Sequence, residues 1–199
     1  MNPLQNLLNN DYNLRLCYCS SEALICGTPS QQQGLQRQWH VREVMWPMKC
    51  TFITISLCVS LVVNVASECG FTDSHYKALQ QLQRDLGSQY FNVLAFPCNQ
   101  FGQQEPDSNK EIESFARKTY GATFPMFSKI AVTGAGANAA FKYLTESTGE
   151  EPTWNFWKYL VAPNGKAVKA WDSTVTIQEI KPYITELLRK ILLKQKNEL

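Results

Sequence analysis

The stretch SLVVNVASECGFT, Ser60–Thr72, decides the fold of this 199-residue chain. Its first part, Ser60–Ala66, is apolar and rich in β-branched side chains, which is typical of a central strand buried on both faces. An amphipathic helix is predicted directly afterwards, at Ser74–Leu86, because three leucines recur there on one helical face. The stretch therefore predicts a buried strand followed by a cysteine, Cys69, a few residues before a helix begins.

The rest of the chain continues this alternation of strands and helices. The further predicted elements are, in order, a strand at Phe91–Phe96, a helix at Pro106–Lys118, a strand region at Phe124–Val132, a helix at Asn138–Thr145, strands at Phe156–Val161 and Lys166–Trp171, and a helix at Thr176–Lys196. Parallel strands come first and an antiparallel pair comes last. This order predicts an α/β fold, a thioredoxin-like three-layer α/β/α sandwich with a mixed central sheet.

Local signals support several of these boundaries. Ser108 with Glu111 has the spacing of a helix capping box, and Thr176 is predicted to cap the last helix together with Glu179. Pro163-Asn164-Gly165 is predicted to turn the antiparallel hairpin, with the Asn-Gly pair supplying positive φ angles. Pro182 indicates either a kink in the last helix or its true beginning.

The chain divides into two parts. Residues 1–50 are rich in Asn, Gln and Ser and show no sustained hydrophobic period, which predicts a flexible extension. Residues 51–199 are predicted to form the thioredoxin-like domain. The sheet region at the N-terminal edge of that domain is expected to be atypical.

Composition excludes some functions and leaves others open. A net charge of +2 with both signs interspersed argues against a nucleic-acid partner. Seven cysteines, an odd number, do not suggest a disulfide framework. A metal site is not expected, because the chain has two histidines and no Cys-x-x-Cys motif. Buried thiols or redox chemistry remain as the roles of Cys69 and Cys98.

Cys69 has two interpretations from its position alone. A thiol between a buried strand and a helix start lies near unpaired backbone N–H groups and the positive end of the helix dipole, which favour the reactive thiolate. The other interpretation is a buried structural cysteine. Because the motif is Cys-Gly-Phe-Thr, dithiol exchange within it is excluded.

Four motifs carry a family resemblance. They are NVASECGFT at Asn64–Thr72, FPCNQFGQQEP at Phe96–Pro106, FPMFSKIAV at Phe124–Val132 and TWNFWKYLV at Thr153–Val161. Together and in this order they resemble the glutathione peroxidase family, from about residue 59 to the C-terminus. The resemblance implies a thioredoxin-like fold and peroxidase activity.

Carried over by motif, the resemblance implies a catalytic site of Cys69, Gln104, Trp154 and Asn155. Cys69 would be the peroxidatic residue, in the position where other members have selenocysteine. Side-chain amides and an indole N–H would stabilise its thiolate and the charge developing on the departing oxygen. Taken singly, Trp154 could instead be a core aromatic and Gln104 an ordinary loop residue.

The implied reaction reduces hydrogen peroxide or an organic hydroperoxide and leaves Cys69 as a sulfenic acid. Cys98 is a candidate resolving thiol, with a structural role as the alternative. Protein disulfide isomerase, or more weakly glutathione, is the implied reductant, and a luminal chaperone is a further candidate partner. No bound cofactor is expected, since the thiol reductant is a co-substrate. Tetrameric members of the family carry a long assembly insertion before the tryptophan motif, so the resemblance implies a monomer for this chain, whose segment between Phe141 and Trp154 is short.

Two other functions are compatible with parts of the sequence. Cys-Gly-Phe-Thr resembles the motif of monothiol glutaredoxins, but that interpretation leaves FGQQE and WNF unexplained. A redox sensor, or a relay that passes disulfides to folding chaperones, would use Cys69 without catalytic turnover. Turnover of peroxide, as opposed to one stoichiometric burst, distinguishes a peroxidase from a sensor.

The last four residues, Lys196–Leu199, read KNEL and resemble an endoplasmic-reticulum retention signal, which predicts a location in that lumen or the secretory pathway. No apolar signal segment follows Met1, so the route of entry is open. Thr51–Ala66 is uncharged for 16 residues, which is short for a membrane span. A start at Met48 would make it resemble a signal peptide, but cleavage after Ala66 would remove the predicted central strand.

Overall fold

The computed structural model describes residues 58–87 and 90–197. The predicted extension at residues 1–50, the segment 51–57 and the last two residues of the KNEL tail lie outside these ranges. Four strands are present in them: β1 (Val59–Val65), β2 (Phe91–Pro97), β3 (Lys158–Val161) and β4 (Ala167–Trp171). The helices are α1 (Thr72–Leu86), α2 (Asn109–Tyr120), α3 (Ala139–Thr148) and α4 (Ile177–Asn197).

The sheet is mixed, with the strand order β2-β1-β3-β4. β1 pairs in parallel with β2 and antiparallel with β3, and β3 pairs antiparallel with β4. All seven residues of β1 are buried, as predicted for a central strand. The predicted α/β/α architecture is therefore confirmed.

The two faces of β1 pack against different helices. Val59, Leu61, Val63 and Val65 join a core cluster with the apolar faces of α1 and α4. Val62, on the opposite face, packs in a second cluster with residues of α3. Since side chains alternate along a strand, a run of apolar residues allows β1 to contribute to both layers.

Both predicted caps form. The Ser108 side chain accepts from the Glu111 N–H while the Glu111 carboxylate accepts from the Ser108 N–H, so α2 begins with a capping box. Thr176 and Glu179 make the same reciprocal pair at the start of α4. Pro182 lies inside α4, so the helix begins before it and the interpretation of Pro182 as the helix start is wrong.

The strand predicted over Phe124–Val132 does not form. The segment makes one isolated parallel bridge, between Ala95 and Met126. Side chains take several of its backbone groups instead: the Lys129 N–H donates to Asn109 Oδ1 at 2.8 Å, and the Val132 N–H donates to Gln100 Oε1 at 2.6 Å. Three backbone bonds still join the segment to β2, donated by the N–H groups of Ala95, Phe127 and Ile130, but with the Lys129 and Val132 amides bonded to side chains they do not continue into a regular ladder.

The predicted hairpin forms, but its turn differs from the prediction. Gly165 has a φ of 78°, whereas Asn164 is not among the residues with positive φ. The Gly165 N–H donates to the Ala162 carbonyl at 2.8 Å, and Asn164 Oδ1 accepts from the Lys166 N–H at 3.0 Å. One left-handed glycine is therefore enough to reverse the chain.

Candidate active site

The loop between β1 and α1 carries Cys69, and its backbone amides have specific partners. The Ser67 N–H donates to Glu105 Oε2 at 2.7 Å and the Glu68 N–H donates to the Gln104 carbonyl at 3.0 Å. Cys69 itself is buried, with 8% of its surface exposed. The loop is thus attached to Gln104 and Glu105, the last two residues of the FGQQE motif.

Thr72, the last residue of the Cys-Gly-Phe-Thr motif, closes this loop from the other side. Its Oγ1 accepts from the Cys69 N–H at 3.0 Å and donates to the Ala66 carbonyl at 2.8 Å. The Thr72 N–H in turn donates to the Cys69 carbonyl at 2.9 Å. One buried hydroxyl therefore fixes the backbone on both sides of the thiol.

Two amides of the loop remain open. Within the described ranges, the N–H groups of Gly70 and Phe71 donate to no oxygen. They follow Cys69 directly and precede the first turn of α1, at the positive end of the helix dipole. The predicted unpaired amides near Cys69 are therefore present, although the N–H of Cys69 itself is taken by Thr72. Such groups can stabilise negative charge at sulfur.

Gln104 and Asn155 meet, as the motif resemblance implies. Asn155 is fully buried, and its Nδ2 donates to Gln104 Oε1 at 2.9 Å and to the Phe101 carbonyl at 3.3 Å. Since this bond occupies the Gln104 carbonyl oxygen, the Gln104 amide nitrogen is left as a donor. It donates to no residue in the part of the chain that the structure describes.

Trp154 lies beside this pair and faces solvent. It is 39% exposed, so the interpretation of Trp154 as a core aromatic is wrong. Its ring approaches Gly102, where an added Cβ would lie 3.5 Å from Trp154 and 3.4 Å from the Gln104 side chain. These distances are ordinary van der Waals contacts, so the positive φ of 64° at Gly102 is what favours glycine there.

Left-handed backbone also occurs at two residues next to the site. Gln103 and Phe156 have φ angles of 55° and 64°, which are uncommon for residues with a Cβ. Gln103 directly precedes Gln104, and Phe156 directly follows Asn155. Backbone in this region costs free energy, and such residues concentrate at functional sites.

Asn64, inside β1, connects the central strand to the Trp154–Asn155 segment, and the sequence analysis did not single it out. Its Nδ2 donates to the Trp154 carbonyl at 3.0 Å, and its Oδ1 accepts from the Trp157 N–H at 2.8 Å. The signal that could have found it is an amide within a mostly apolar strand that is predicted to be buried, because a buried polar side chain needs partners.

Glu105 is the second residue that sequence reasoning missed. It is fully buried, and burial raises the pKa of its carboxyl to about 7. Its Oε2 accepts from Ser67, whereas its Oε1 has no partner among the described residues. The nearby Lys129 Nζ donates to the backbone carbonyls of residues 105–107 rather than to this carboxylate.

The structure does not join all four predicted residues by hydrogen bonds. Gln104 and Asn155 are bonded to each other, and Trp154 packs near Gln104. In the ranges described, Cys69 Sγ makes no hydrogen bond to any of the three. The connection of Cys69 to them runs through the backbone, from the Glu68 N–H to the Gln104 carbonyl.

Comparison with known proteins identifies the family of this chain. The family model described as glutathione peroxidase matches residues 47–145. Glutathione peroxidase 7 of Bos taurus is 77% identical over 141 residues, which cover 71% of this chain and 76% of that protein. The chain belongs to the glutathione peroxidase family. It is accordingly a peroxidase, an oxidoreductase, and this family assignment replaces the glutaredoxin alternative.

Solved structures place the fold of this glutathione peroxidase in the same class. A crystal structure described as Trgpx in apo form matches with a TM-score of 0.55 and 33% identity, over 69% of this chain and 85% of that chain. A thiol:disulfide interchange protein of the thioredoxin family from Chlorobium tepidum matches with a TM-score of 0.52 and 12% identity, over 68% and 83% of the two chains. The second likeness shows the fold alone, and that fold is thioredoxin-like.

In this glutathione peroxidase Cys98 and Cys69 pack in different hydrophobic clusters. Cys69 packs in the core cluster of α1 and α4, whereas Cys98 packs in the cluster on the opposite face of the sheet. Cys98 is fully buried, and burial raises the pKa of its thiol. Its Sγ donates to Gln100 Oε1 at 3.5 Å. These surroundings are those of a packed, protonated thiol.

No helix among the described residues is long and apolar enough to cross a membrane.

Proposed function

We propose that this peroxidase uses Cys69 as its peroxidatic thiolate and Gln104, Trp154 and Asn155 as the polar groups around it. The observation that carries the proposal is the bond from the Glu68 N–H to the Gln104 carbonyl, since it attaches the Cys69 loop to the Gln104–Asn155 pair. Gln104 Nε2, Trp154 Nε1 and the open amides of Gly70 and Phe71 are the donors available for negative charge. None of these donors is bonded to another described residue.

The reaction follows from these groups. The Cys69 thiolate attacks one oxygen of the hydroperoxide, the O–O bond breaks, and the S–O bond that forms leaves a sulfenic acid. The departing oxygen takes the bonding electron pair and a proton, and leaves as water or an alcohol. N–H donors aimed at the site stabilise the charge that develops on that oxygen.

An external thiol is the reductant that the surroundings of Cys98 favour. A first thiol displaces hydroxide, which leaves as water, and forms a mixed disulfide with Cys69. A second thiol attacks that disulfide and releases Cys69. We assign the reductant to the class of dithiol disulfide isomerases, or more weakly to glutathione, and we assign Cys98 a structural role because it is buried on the opposite face of the sheet. No bound cofactor takes part in this scheme, and the active species is a monomer.

The test is steady-state peroxide consumption with protein disulfide isomerase or with glutathione as reductant. Cys69→Ser is expected to abolish turnover because it removes the attacking thiolate. Cys98→Ser is expected to keep turnover, since an external thiol resolves the intermediate. Cys58→Ser is the matched control, because Cys58 is also buried and directly precedes β1.

Three outcomes would contradict parts of the proposal. Peroxide consumption by Cys69→Ser at the wild-type rate would exclude Cys69 as the attacking group. Loss of turnover in a folded Cys98→Ser variant would assign the resolving role to Cys98. A single stoichiometric burst in wild-type protein with either reductant would favour the redox sensor or disulfide relay.

For location we propose the lumen of the endoplasmic reticulum, reached through the secretory pathway. Support comes from the KNEL tail at Lys196–Leu199. A luminal chaperone is a partner compatible with that location. Microscopy of cells that express the full chain, with and without these four residues, tests the assignment, and an unchanged distribution would contradict it.

A further inference from the structure

Glu105 occupies a position that the peroxide chemistry described above does not use. Its side chain is fully buried, and its backbone is fixed on both sides. The Glu105 N–H donates to Asn99 Oδ1 at 2.9 Å, and the Glu105 carbonyl accepts from Lys129 Nζ at 2.9 Å. The carboxyl is therefore carried by an anchored segment, and it is directed at the Ser67 N–H.

Burying a carboxyl without an ion pair is unfavourable. The described ion pairs do not include Glu105, and burial raises the pKa of its carboxyl well above the usual range of glutamate. Only one of its two oxygens has a hydrogen-bond partner in the described residues. The one bond that it makes is to the backbone two residues before Cys69.

A second hydrogen bond, made by the next residue of the Cys69 loop, accompanies the bond between Ser67 and Glu105. The Ser67 N–H donates to the side chain of Glu105, and the Glu68 N–H donates to the carbonyl of Gln104. Two consecutive amides of the Cys69 loop are thus held by two consecutive residues of the other loop. Because Gln104 also accepts from Asn155, the position of the whole Cys69 loop relative to the polar side chains depends on this pair of bonds.

We propose that Glu105 is a positioning residue for Cys69, acting through the Ser67 amide to set the thiol against the Gln104–Asn155 pair. This role rests on the proposed function of Cys69. Displacement of the thiol sulfur from its place beside these side chains would lower the peroxide rate. A displacement of about 1 Å in a reacting group can cost on the order of a hundredfold in rate.

The test compares two rates on the full chain. One is the second-order rate of Cys69 with hydrogen peroxide, and the other is its rate of alkylation by iodoacetamide, followed by mass spectrometry of the Cys69 peptide. Peroxide reduction needs the thiol aligned with the polar side chains, whereas alkylation reports the nucleophilicity of the thiolate. A residue that acts on position changes the first rate much more than the second.

Glu105→Leu removes the acceptor while keeping the side chain at similar size. We expect its peroxide rate to fall by about tenfold to a hundredfold, with alkylation changed by less than about twofold. Glu105→Gln keeps an oxygen for the Ser67 N–H, and we expect it to restore the peroxide rate to within about threefold of wild type. Glu146→Leu, at an exposed residue of α3, is the control for the substitution itself.

Glu105→Asp keeps the experiment decisive if Glu105→Leu does not fold. The shorter side chain keeps the acid but withdraws its oxygen from Ser67, so the peroxide rate should again fall. Three results would overturn the proposal: a wild-type peroxide rate in a folded Leu or Asp variant, a Gln variant as slow as the Leu variant, or a parallel fall of both rates. A failure of the proposed function would appear separately, in Cys69→Ser.

Discussion

At the scale of single residues, the three described cysteines differ in their surroundings rather than in burial. Cys58, Cys69 and Cys98 are 1%, 8% and 0% exposed. Burial raises the pKa of the thiols of Cys58 and Cys98, which disfavours their reactive forms. Of these three cysteines only Cys69 directly precedes a helix N-terminus, and the positive end of the helix dipole together with the open amides of Gly70 and Phe71 can stabilise an anion there.

Thr72 provides a test at this scale, because its hydroxyl bonds both the Cys69 N–H and the Ala66 carbonyl. Thr72→Val keeps the shape and removes both bonds, which should lower the free energy of unfolding by about 1–3 kcal/mol and slow peroxide reduction. Thr72→Ser keeps the hydroxyl and should lose less of either. Denaturant unfolding and peroxide kinetics measure the two effects, and equal behaviour of the Val and Ser variants would contradict the role of the hydroxyl.

At the scale of secondary-structure elements, the site depends on how β1 is attached to the segment before β3. The strands β1 and β3 pair antiparallel, with Ser60 opposite Val161 at one end of the ladder and Val63 opposite Lys158 at the other. Beyond that register, Asn64 continues the connection with its backbone and with both ends of its side-chain amide. A strand residue therefore holds the irregular backbone that presents Trp154 and Asn155.

Asn64→Ala should be costly for this reason. It leaves the Trp157 N–H and the Trp154 carbonyl without their partner, and we expect the free energy of unfolding to fall by about 2–4 kcal/mol. Asn92→Ala is the matched control, because Asn92 lies on the neighbouring strand but is only half-buried. Denaturant titration of both variants measures the difference. Similar losses in the two would show that Asn64 has no special part in joining the elements.

At the scale of the whole molecule, two buried ionisable groups respond to pH in opposite directions. Burial, with a smaller contribution from the charge of Lys158, lowers the pKa of His75 from 6.5 to about 4. Burial raises the pKa of Glu105 from 4.5 to about 7. His75 stabilises the fold above pH 6.5, and this contribution is lost as the pH falls towards 4. Glu105 has the reverse effect, because its stabilising contribution is lost as the pH rises from 4.5 through 7.

The two contributions should largely cancel in the wild-type protein between about pH 4.5 and 6.5, since each is on the order of 3 kcal/mol. Glu105→Gln should reveal the His75 effect, with stability rising as the pH increases over this range. His75→Gln should reveal the opposite slope. Denaturant unfolding at several pH values measures both, and parallel pH profiles for the two variants would contradict these pKa values.

Much of the fold could be predicted from local pattern. The buried character of β1, the helix after it, both capping boxes and the hairpin each depend on residues close together in the chain. The strand predicted at Phe124–Val132 failed because Asn109 and Gln100, distant in sequence, take its amides. Local apolar character cannot show which distant side chain will compete for a backbone N–H.

The sequence by itself determined the α/β order, the family and the four residues expected at the site, because these depend on local periodicity and on motifs. The tertiary structure alone decided that Cys98 lies on the opposite face from Cys69, that Asn64 bonds to the Trp154–Trp157 segment, and that Glu105 bonds to the Cys69 loop. The bond between Ser67 and Glu105 spans 38 positions, and the bond between Asn64 and Trp157 spans 93. Such contacts arise only when the packed sheet brings separate loops together, and a buried polar group must then bond to whichever partner the fold supplies.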